Sequence, residues 1–403
     1  MNKKILASFI IFIMCISSGS YALEYAVPVW NESGMVKEVS NEALGENFLN
    51  IESESCILIE QTTGKVLYEK NSHEKLRPAS VTKVMTILLI MEALDSGKIA
   101  LTDTVPCSEN ATSMGGSQIW LDSRELLTVD EMLKAICVVS ANDCTVAMAE
   151  FLAGSEEVFV GLMNEKAKTL GMNDTTFKNC HGIDEEGHIT TAYDISLMSR
   201  ELLQKHPNIT KYSTIWMDSL RNGQSSLVNT NKLVRNYKGC TGLKTGSTSL
   251  ALYNLSASAT RDDLSLLAVV LKGGTSNIRF NDAKKLLDYG FTNFKFEKGA
   301  TKGKVVQSIT IDKSVEKELN LVYEKDSGVL VPKSSAGNIE QEVVINDKIS
   351  APIQKGEILG TVHFYLDGQI LDSVNLVAEQ DITKLSVFSM YSYIIGAWMN
   401  LLR

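Results

Sequence analysis

The chain has 403 residues and a formal net charge of −9, with 44% hydrophobic residues, 22% charged residues and six prolines. This composition excludes a disordered or collagen-like chain, and seven cysteines are too few for a small disulfide-stabilised scaffold. The acidic balance disfavours nucleic acid as a partner, because phosphate backbones are also negative. A mean hydropathy of zero excludes a polytopic membrane protein.

The N-terminus is typical of an export signal. Two lysines precede an apolar run over residues 5–16, which is too short to span a membrane comfortably, and small residues follow at Ser20 and Ala22. We predict a signal peptide over 1–22, with an N-terminal membrane anchor as the alternative, and a lead-in segment over 23–50. The mature protein would then act outside the cytoplasm.

The next part of the chain mixes the patterns of strands and helices. A Thr-Thr-Gly turn ending at Gly64 separates two short apolar runs, which predicts a β-hairpin. Strands at both ends with helices between them predict one sheet in which the first and last strands are neighbours. The periodicity of apolar residues predicts helices over 81–94, 129–139, 146–152, 158–170 and 277–289, and strands over 252–260 and 264–271.

The pattern changes after residue 297. Short β-rich runs broken by Gly, Asp, Asn and Pro predict a small all-β domain over 298–378. The C-terminus holds an uncharged stretch over 385–402, in which three serines and Asn400 fall on a narrow polar strip of a helical wheel. We predict an amphipathic helix over 381–403 that lies in the plane of the outer membrane interface, with a spanning helix or a core helix as alternatives.

No metal or cofactor site is expected. The six cysteines after the signal peptide form no Cys-x-x-Cys pair and fit no zinc spacing, so free thiols are favoured over disulfides. The five histidines show no paired spacing, and His181 is favoured as a structural residue. The lack of a Gly-x-Ser-x-Gly motif disfavours a Ser-His-Asp hydrolase.

Ser80 and Lys83 form a Ser-x-x-Lys motif at the start of the predicted 81–94 helix. A spacing of three places the lysine one turn from the serine on the same helix face. The helix N-terminus favours negative charge on the serine oxygen, and burial lowers the pKa of a lysine so that it can act as a base. The motif recurs at Ser72 and at Ser314, but both lie in charged stretches where we expect solvent-facing surface.

Two further short motifs follow along the chain. Ser140-Ala-Asn142 ends an apolar run and by itself favours a helix cap. Lys244-Thr-Gly246 suits a bound carboxylate and carbonyl, although a turn is the simpler interpretation. In the order Ser-x-x-Lys, Ser-x-Asn and Lys-Thr-Gly, the three motifs form the signature set of penicillin-recognising serine enzymes.

The surrounding residues resemble the low-molecular-mass D-alanyl-D-alanine carboxypeptidases, a family of penicillin-binding proteins. The resemblance implies an α/β (α+β) transpeptidase/β-lactamase-like domain over 51–297, with an antiparallel sheet flanked by helices, followed by the small all-β domain and the C-terminal amphipathic helix. It implies the peptidoglycan stem peptide ending in D-Ala-D-Ala as the substrate and β-lactam antibiotics as covalent inhibitors. The likeness is carried by residues 76–83, 163–168, 170–172, 181–184, 253–255, 257–261 and 283–291.

The resemblance also assigns roles to individual residues. It implies Ser80 as the acylated nucleophile, Lys83 as its base and Ser140 as a proton relay towards the leaving nitrogen. It implies substrate binding by Asn142 on the peptide side, by Lys244 and Thr245 at the terminal carboxylate, and by Gly246. The backbone N–H of Thr248 would join that of Ser80 in the oxyanion hole. Arg279 is a looser match, which either assists the carboxylate or lies on a helix surface.

Two alternatives stay open. A serine β-lactamase on the same fold needs a glutamate that activates the deacylating water, and no Glu-x-x-x-Asn occurs in the 40 residues after Asn142. A non-catalytic wall-binding module on the same fold is disfavoured, because all three motifs are intact.

Overall fold

The computed structural model describes residues 26–30, 36–40, 47–335, 339–366, 368–387, 390, 391 and 395. The predicted signal peptide lies outside the described residues, and so does part of the predicted C-terminal helix. The lead-in contains a two-stranded antiparallel hairpin, in which Ala26 pairs with Ser40. The body that carries the three motifs begins at Asn47.

The described strands are, in chain order, β1 (Ala26–Trp30), β2 (Val36–Ser40), β3 (Ser55–Glu60), β4 (Val66–Lys70), β5 (Thr104–Pro106), β6 (Leu126–Thr128), β7 (Met217–Leu220), β8 (Ser225–Val228), β9 (Cys240–Thr248), β10 (Leu252–Arg261), β11 (Leu264–Gly273), β12 (Phe294–Ala300), β13 (Val305–Thr310), β14 (Glu318–Tyr323), β15 (Ser327–Pro332), β16 (Glu340–Ile345), β17 (Ile358–Leu366) and β18 (Gln369–Ala378). The α-helices are α1 (Lys83–Asp95), α2 (Glu109–Thr112), α3 (Val129–Val138), α4 (Asn142–Ala153), α5 (Glu156–Thr169), α6 (Ala192–Lys205), α7 (Thr210–Ser213), α8 (Leu233–Asn236) and α9 (Ser276–Asn293). Short 3₁₀ turns cover Ala79–Thr82, Pro207–Ile209 and Arg221–Gly223.

The central sheet of the body runs in the order β4-β3-β11-β10-β9, with every neighbouring pair antiparallel. The predicted hairpin is present as β3 and β4. The predicted pairing of the first and last strands is confirmed, since Cys56 of β3 pairs with Val270 of β11. Neighbouring residues enter opposite cores, with Ile57 in one apolar cluster and Leu58 in the other. The continuous apolar run over 264–271 therefore reflects burial on both faces of the sheet.

Helices cover both faces of this sheet. Helix α1 is apolar on nearly all sides and lies buried in the larger core, as its sequence predicts. Helix α9 covers the opposite face through residues such as Phe280 and Leu286. Helix α6 has no counterpart in the sequence prediction. The last residues of the predicted lead-in, 47–50, belong to the body, where the ring of Phe48 packs edge-on at 5.3 Å from that of Tyr68 and 5.5 Å from that of Tyr289.

The C-terminal region is all-β, as predicted. Its five-stranded antiparallel sheet has the order β13-β14-β18-β17-β16, and β12 pairs with β15 beside it. The core consists of apolar side chains such as Leu319, Phe364 and Leu376. Leu330 of β15 instead packs with Phe291 in the core beneath α9, so this apolar contact joins the two regions.

The segment after β18 differs at its start from the helix predicted over 381–403. Ile382 and Lys384 form β-bridges with Ile353 and Ser314, because Ile382 completes the apolar core of the β region. The described helical positions begin at residue 387. Within the described ranges, we find no helix that is both long enough and apolar enough to cross a membrane.

Candidate active site

The structure brings Ser80 and Lys83 together beside β9, the edge strand of the central sheet. The 3₁₀ turn Ala79–Thr82 leads directly into α1, so Ser80 precedes the first residue of that helix by one turn. Lys83 Nζ donates to Ser80 Oγ at 3.1 Å, while Ser80 itself is partly exposed. The serine is therefore open to a ligand, and the amine lies within proton-transfer distance of its hydroxyl.

Lys83 is fully buried and has two further acceptors. Its Nζ donates to Asn142 Oδ1 at 2.6 Å and to the backbone oxygen of His181 at 2.7 Å. Burial holds the pKa of Lys83 well below its usual value because the ammonium loses its water, and the nearby charge of Lys244 lowers this pKa further. A lysine in this environment can be a neutral amine that accepts a proton near neutral pH.

The Ser-x-Asn motif lies at the start of α4. Ser140 has a φ of +67° and is 3% exposed, and its Oγ has no hydrogen-bond partner among the described residues. It is not a helix cap, since the cap position is Ala141 and no side chain bonds there. Asn142 links Lys83 to the neighbouring loop, because its Nδ2 donates to Gly115 O at 2.7 Å. The Ser140 hydroxyl is thus free to bond to a ligand.

The Lys-Thr-Gly motif lies inside strand β9 rather than in a turn. Lys244 is 1% exposed, and burial lowers its pKa to about 7, with a smaller contribution from the positive charge of Arg279. Its Nζ donates to the backbone oxygen of Thr245 at 2.9 Å. The Thr245 hydroxyl donates to Thr230 Oγ1 at 2.7 Å. Both side chains are therefore held in place by contacts within the protein.

Gly246 allows β9 to lie directly against the nucleophile turn. A Cβ atom at this position would be 2.9 Å from Pro78 O, 2.9 Å from Val81 N and 3.0 Å from Ser80 N. These are backbone atoms, which cannot move aside as a flexible side chain can. The glycine of the motif is therefore required by the close approach of two backbone segments.

Arg279 supports β9 from α9. It is 7% exposed, so the surface-position alternative is wrong. Its Nη1 donates to Gly246 O at 3.0 Å and to Asn254 O at 3.3 Å, and burial lowers its pKa to about 10. The guanidinium carbon lies 4.8 Å from the ring centroid of Phe280. Packing against the core explains why this helix residue points inward.

Thr248 ends β9 and shapes the turn into β10. Its Oγ1 accepts a hydrogen bond from Ala251 N at 2.9 Å. The side chain is therefore used locally, and only the backbone N–H of Thr248 is relevant to the predicted oxyanion hole.

The side chain of His181 is structural, whereas its backbone oxygen accepts a hydrogen bond from Lys83. Burial lowers its pKa to about 3, so the imidazole is neutral, and its Nδ1 accepts from Ile183 N at 3.1 Å.

All six cysteines from Cys56 to Cys240 are free thiols. In the part of the chain that the structure describes, no group of three or more His, Cys, Asp or Glu residues could hold a metal ion.

The other two Ser-x-x-Lys matches were expected at the solvent-facing surface, which is wrong for their serines. Ser72 is 4% exposed and donates to Glu69 Oε2, while Ser314 is 5% exposed and donates to Ile311 O. Local acceptors satisfy both hydroxyls, which lets them be buried without a catalytic partner. The lysine of the first match, Lys75, is exposed and bonds to Asp174.

Sequence reasoning missed the groups that complete the site through their backbone. The backbone carbonyl of His181 holds Lys83, and that of Gly115 holds Asn142. Every residue has a backbone carbonyl, so no sequence pattern marks these acceptors. The sequence predicts a structural role for His181 and a family likeness for 181–184, but neither prediction points to the carbonyl that holds Lys83.

Comparisons with known proteins agree with this geometry. The family model described as D-alanyl-D-alanine carboxypeptidase matches residues 38–275, and the model described as penicillin-binding protein 5, C-terminal domain, matches residues 294–384. The first model covers more than half of the chain. The second coincides with the all-β region that follows α9.

Individual relatives extend over most of the chain. The D-alanyl-D-alanine carboxypeptidase DacF of Bacillus subtilis (strain 168) is 44% identical over 351 residues, which cover 86% of this chain and 90% of the relative. The solved structure of penicillin binding protein 5 from Haemophilus influenzae has a TM-score of 0.74 at 30% identity and covers 83% of this chain and 98% of its own. Penicillin-Binding Protein D2 from Listeria monocytogenes, solved in its ampicillin-bound form, has a TM-score of 0.55 at 28% identity and covers 60% and 98%.

Proposed function

The chain belongs to the D-alanyl-D-alanine carboxypeptidase family, and on that premise we propose that it removes the terminal D-Ala from peptidoglycan stem pentapeptides through an acyl-enzyme. The observation that carries this proposal is the buried amine of Lys83, which lies 3.1 Å from the accessible hydroxyl of Ser80. A serine hydroxyl is a weak nucleophile by itself, and a neutral amine beside it can take its proton as the bond to carbon forms.

In the first step, Ser80 Oγ attacks the carbonyl carbon of the penultimate D-Ala while Lys83 accepts the hydroxyl proton. The backbone N–H groups of Ser80 and Thr248 stabilise the oxyanion. When the peptide bond breaks, Ser140 relays a proton to the leaving D-Ala nitrogen. Among the described residues, Ser140 Oγ has no hydrogen-bond partner, which supports this role because its hydroxyl is available to the substrate. Water then releases the acyl group.

The substrate's terminal carboxylate is placed by β9. Lys244 supplies positive charge, and Arg279 acts behind the strand, where it holds the carbonyl of Gly246. The Thr245 hydroxyl donates to Thr230 Oγ1 in the free enzyme, so it exchanges this acceptor for the carboxylate when the substrate binds. Asn142 retains one amide hydrogen for the peptide side, since a single bond to Gly115 is made through Nδ2.

β-Lactam antibiotics are proposed as covalent inhibitors that acylate the same serine. The ampicillin-bound relative supports this proposal. A β-lactamase on the same fold would turn over nitrocefin rapidly and repeatedly, whereas the carboxypeptidase should show one slow stoichiometric acylation. A non-catalytic wall-binding module would not be acylated.

The decisive experiment labels the purified protein with fluorescent penicillin and locates the adduct by mass spectrometry. We expect one adduct on Ser80 and none in Ser80→Ala. Ser72→Ala is the matched control, since Ser72 belongs to another Ser-x-x-Lys match that lies away from the site, and it should label like the wild type. An adduct on Ser140, or labelling of Ser80→Ala, would overturn the assignment.

Export and membrane attachment complete the proposal. The substrate lies outside the cytoplasm, in agreement with the predicted signal peptide over 1–22. We assign the C-terminal segment to peripheral attachment at the outer face of the cytoplasmic membrane. Its described residues Val387, Tyr391 and Ile395 support this, because they are apolar and are 75%, 65% and 57% exposed.

A further inference from the structure

The turn that carries the nucleophile is strained at the residue before it. Ala79 is 1% exposed and has a φ of +47°, a left-handed conformation that residues with a Cβ rarely adopt. Relaxation of Ala79 to an ordinary negative φ would rotate the next peptide and move Ser80 Oγ away from Lys83 Nζ. Such a conformation persists only where the surrounding structure holds it.

Asn254 supplies hydrogen bonds that hold this turn. It lies on β10 and is fully buried. Its Nδ2 donates to Arg77 O at 2.8 Å and to Pro78 O at 3.0 Å, the two carbonyls that precede Ala79. Its Oδ1 accepts from Lys272 N of β11 at 2.8 Å. One amide therefore ties two strands of the sheet to the start of the strained turn.

Steric contacts limit the turn from two other sides. A Cβ on Gly182 would be 1.9 Å from Ala79 O, and one on Gly246 would be 2.9 Å from Pro78 O. Backbone contacts of this kind prevent the turn from approaching closer, but they do not prevent it from moving away. The directed bonds from Asn254 oppose that outward movement.

We propose that Asn254 is a positioning residue, which holds Ser80 beside Lys83 by fixing the two carbonyls that precede the strained Ala79. The inference rests on the proposed function, since it concerns the rate at which Ser80 is acylated. Asn254 belongs to none of the three motifs and acts on the reaction through the turn.

The test replaces the donor of Asn254 and keeps its shape. Asn254→Asp retains an oxygen that accepts from Lys272 N, but it turns a second oxygen towards the carbonyls of Arg77 and Pro78. We expect the rate constant for acylation by fluorescent penicillin to fall about 100-fold, because a displacement of about 1 Å can cost that much. For a D-Ala-D-Ala peptide, the loss should lie in kcat more than in KM. Asn254→Ser adds no charge and should also lower the acylation rate constant and kcat. It replaces the aspartate variant in the test if that variant does not fold.

A matched control exists on α5. Asn164 makes the same kind of contacts, since its Nδ2 donates to Val160 O and Phe177 O at 3.0 and 2.9 Å and its Oδ1 accepts from Phe177 N at 2.9 Å. Asn164→Asp should lower Tm while its acylation rate stays within about twofold of the wild type. Equal rate losses in the two aspartate variants would reduce Asn254 to a structural role and overturn the proposal.

A rescue experiment tests the strain itself. Glycine adopts positive φ without the penalty of a Cβ. The double variant Asn254→Asp with Ala79→Gly should therefore be acylated about tenfold faster than Asn254→Asp alone. No recovery, or a wild-type rate in folded Asn254→Asp, would overturn the inference. A wild-type protein that penicillin does not acylate would overturn the proposed function itself, which separates the two failures.

Discussion

The two folded regions bury different kinds of side chain. Between residues 47 and 293, ionisable side chains lie deep in the interior, including Lys83, Lys244 and Asp143, each at most 1% exposed. In the described part of the chain after residue 293, Ser314 is the one buried polar side chain. Desolvated charges cost free energy unless they are well bonded. The first region thus gives up stability to position reactive groups, whereas the second has an almost purely apolar core.

This difference predicts where substitutions act. Changes at buried positions that contact the nucleophile turn should alter acylation, and matched changes in the β region should alter only stability.

Lys83→Met should give the largest effect. The acylation rate should fall at least about 100-fold, because the variant lacks the amine that takes the Ser80 proton. Stopped-flow measurements with fluorescent penicillin would show it. Lys75→Met is the control, since Lys75 is the exposed lysine of another Ser-x-x-Lys match, and its rate should not change. A Lys83→Met variant with a wild-type rate would assign the base to another group.

Gly246→Ala and Gly299→Ala compare one substitution in the two regions. The new Cβ in the first would lie 3.0 Å from Ser80 N, and in the second 2.9 Å from the ring of the buried Phe364. Gly246→Ala should reduce acylation about 100-fold by displacing the nucleophile turn. Gly299→Ala should destabilise the β region by about 1–3 kcal/mol through overpacking and leave the rate unchanged. Thermal unfolding and acylation rates check both, and a rate loss in Gly299→Ala would contradict the separation.

The sequence predicts the sheet and the three motifs because both have short-range patterns. The continuous apolar run over 264–271 and the Thr-Thr-Gly turn before Val66 are local signals for strands, and both segments lie in the central sheet. Helix α6 was missed for a physical reason. Its buried apolar residues Ile195, Met198 and Leu202 have helical spacing, but the buried face also contains Ser199, which weakens the pattern.

The site's supporting contacts could not be predicted in the same way. Asn254 reaches a turn more than 170 positions earlier in the chain, and the carbonyl of His181 reaches Lys83 across 98 positions. These contacts depend on the complete tertiary fold. Local sequence fixes which residues can react, and distant segments fix how they are aligned.

Lys244 gives a smaller, pH-dependent effect. Burial lowers its pKa to about 7, so the free enzyme loses this positive charge as the pH rises through that value. KM for the peptide should therefore increase above about pH 7, and kcat should decline only at higher pH, because the bound carboxylate stabilises the ammonium. Steady-state kinetics between about pH 6 and about pH 9 would measure the pH dependence of KM and of kcat.

Substitution distinguishes charge from proton transfer at this position. Lys244→Arg keeps the charge at every pH in that range, so its KM should not increase with pH, although the planar guanidinium should cost about tenfold in kcat/KM. Lys244→Gln should lose more. Equal losses in the two variants would indicate that Lys244 transfers a proton.

The smallest expected change in activity belongs to the C-terminus. Ile382 is 1% exposed and Leu385 N donates to Lys313 O, whereas Tyr391 and Ile395 are 65% and 57% exposed. Truncation after Ser386 should therefore leave the fold intact, keep acylation within about twofold and abolish co-sedimentation with phospholipid vesicles. Truncation after Glu379 is the contrasting variant, because it also removes Ile382 from the apolar core and should lower the Tm of the β region by several degrees. If the mature protein truncated after Ser386 still sediments with vesicles, the attachment lies in another part of the chain and the assignment to the C-terminus is wrong.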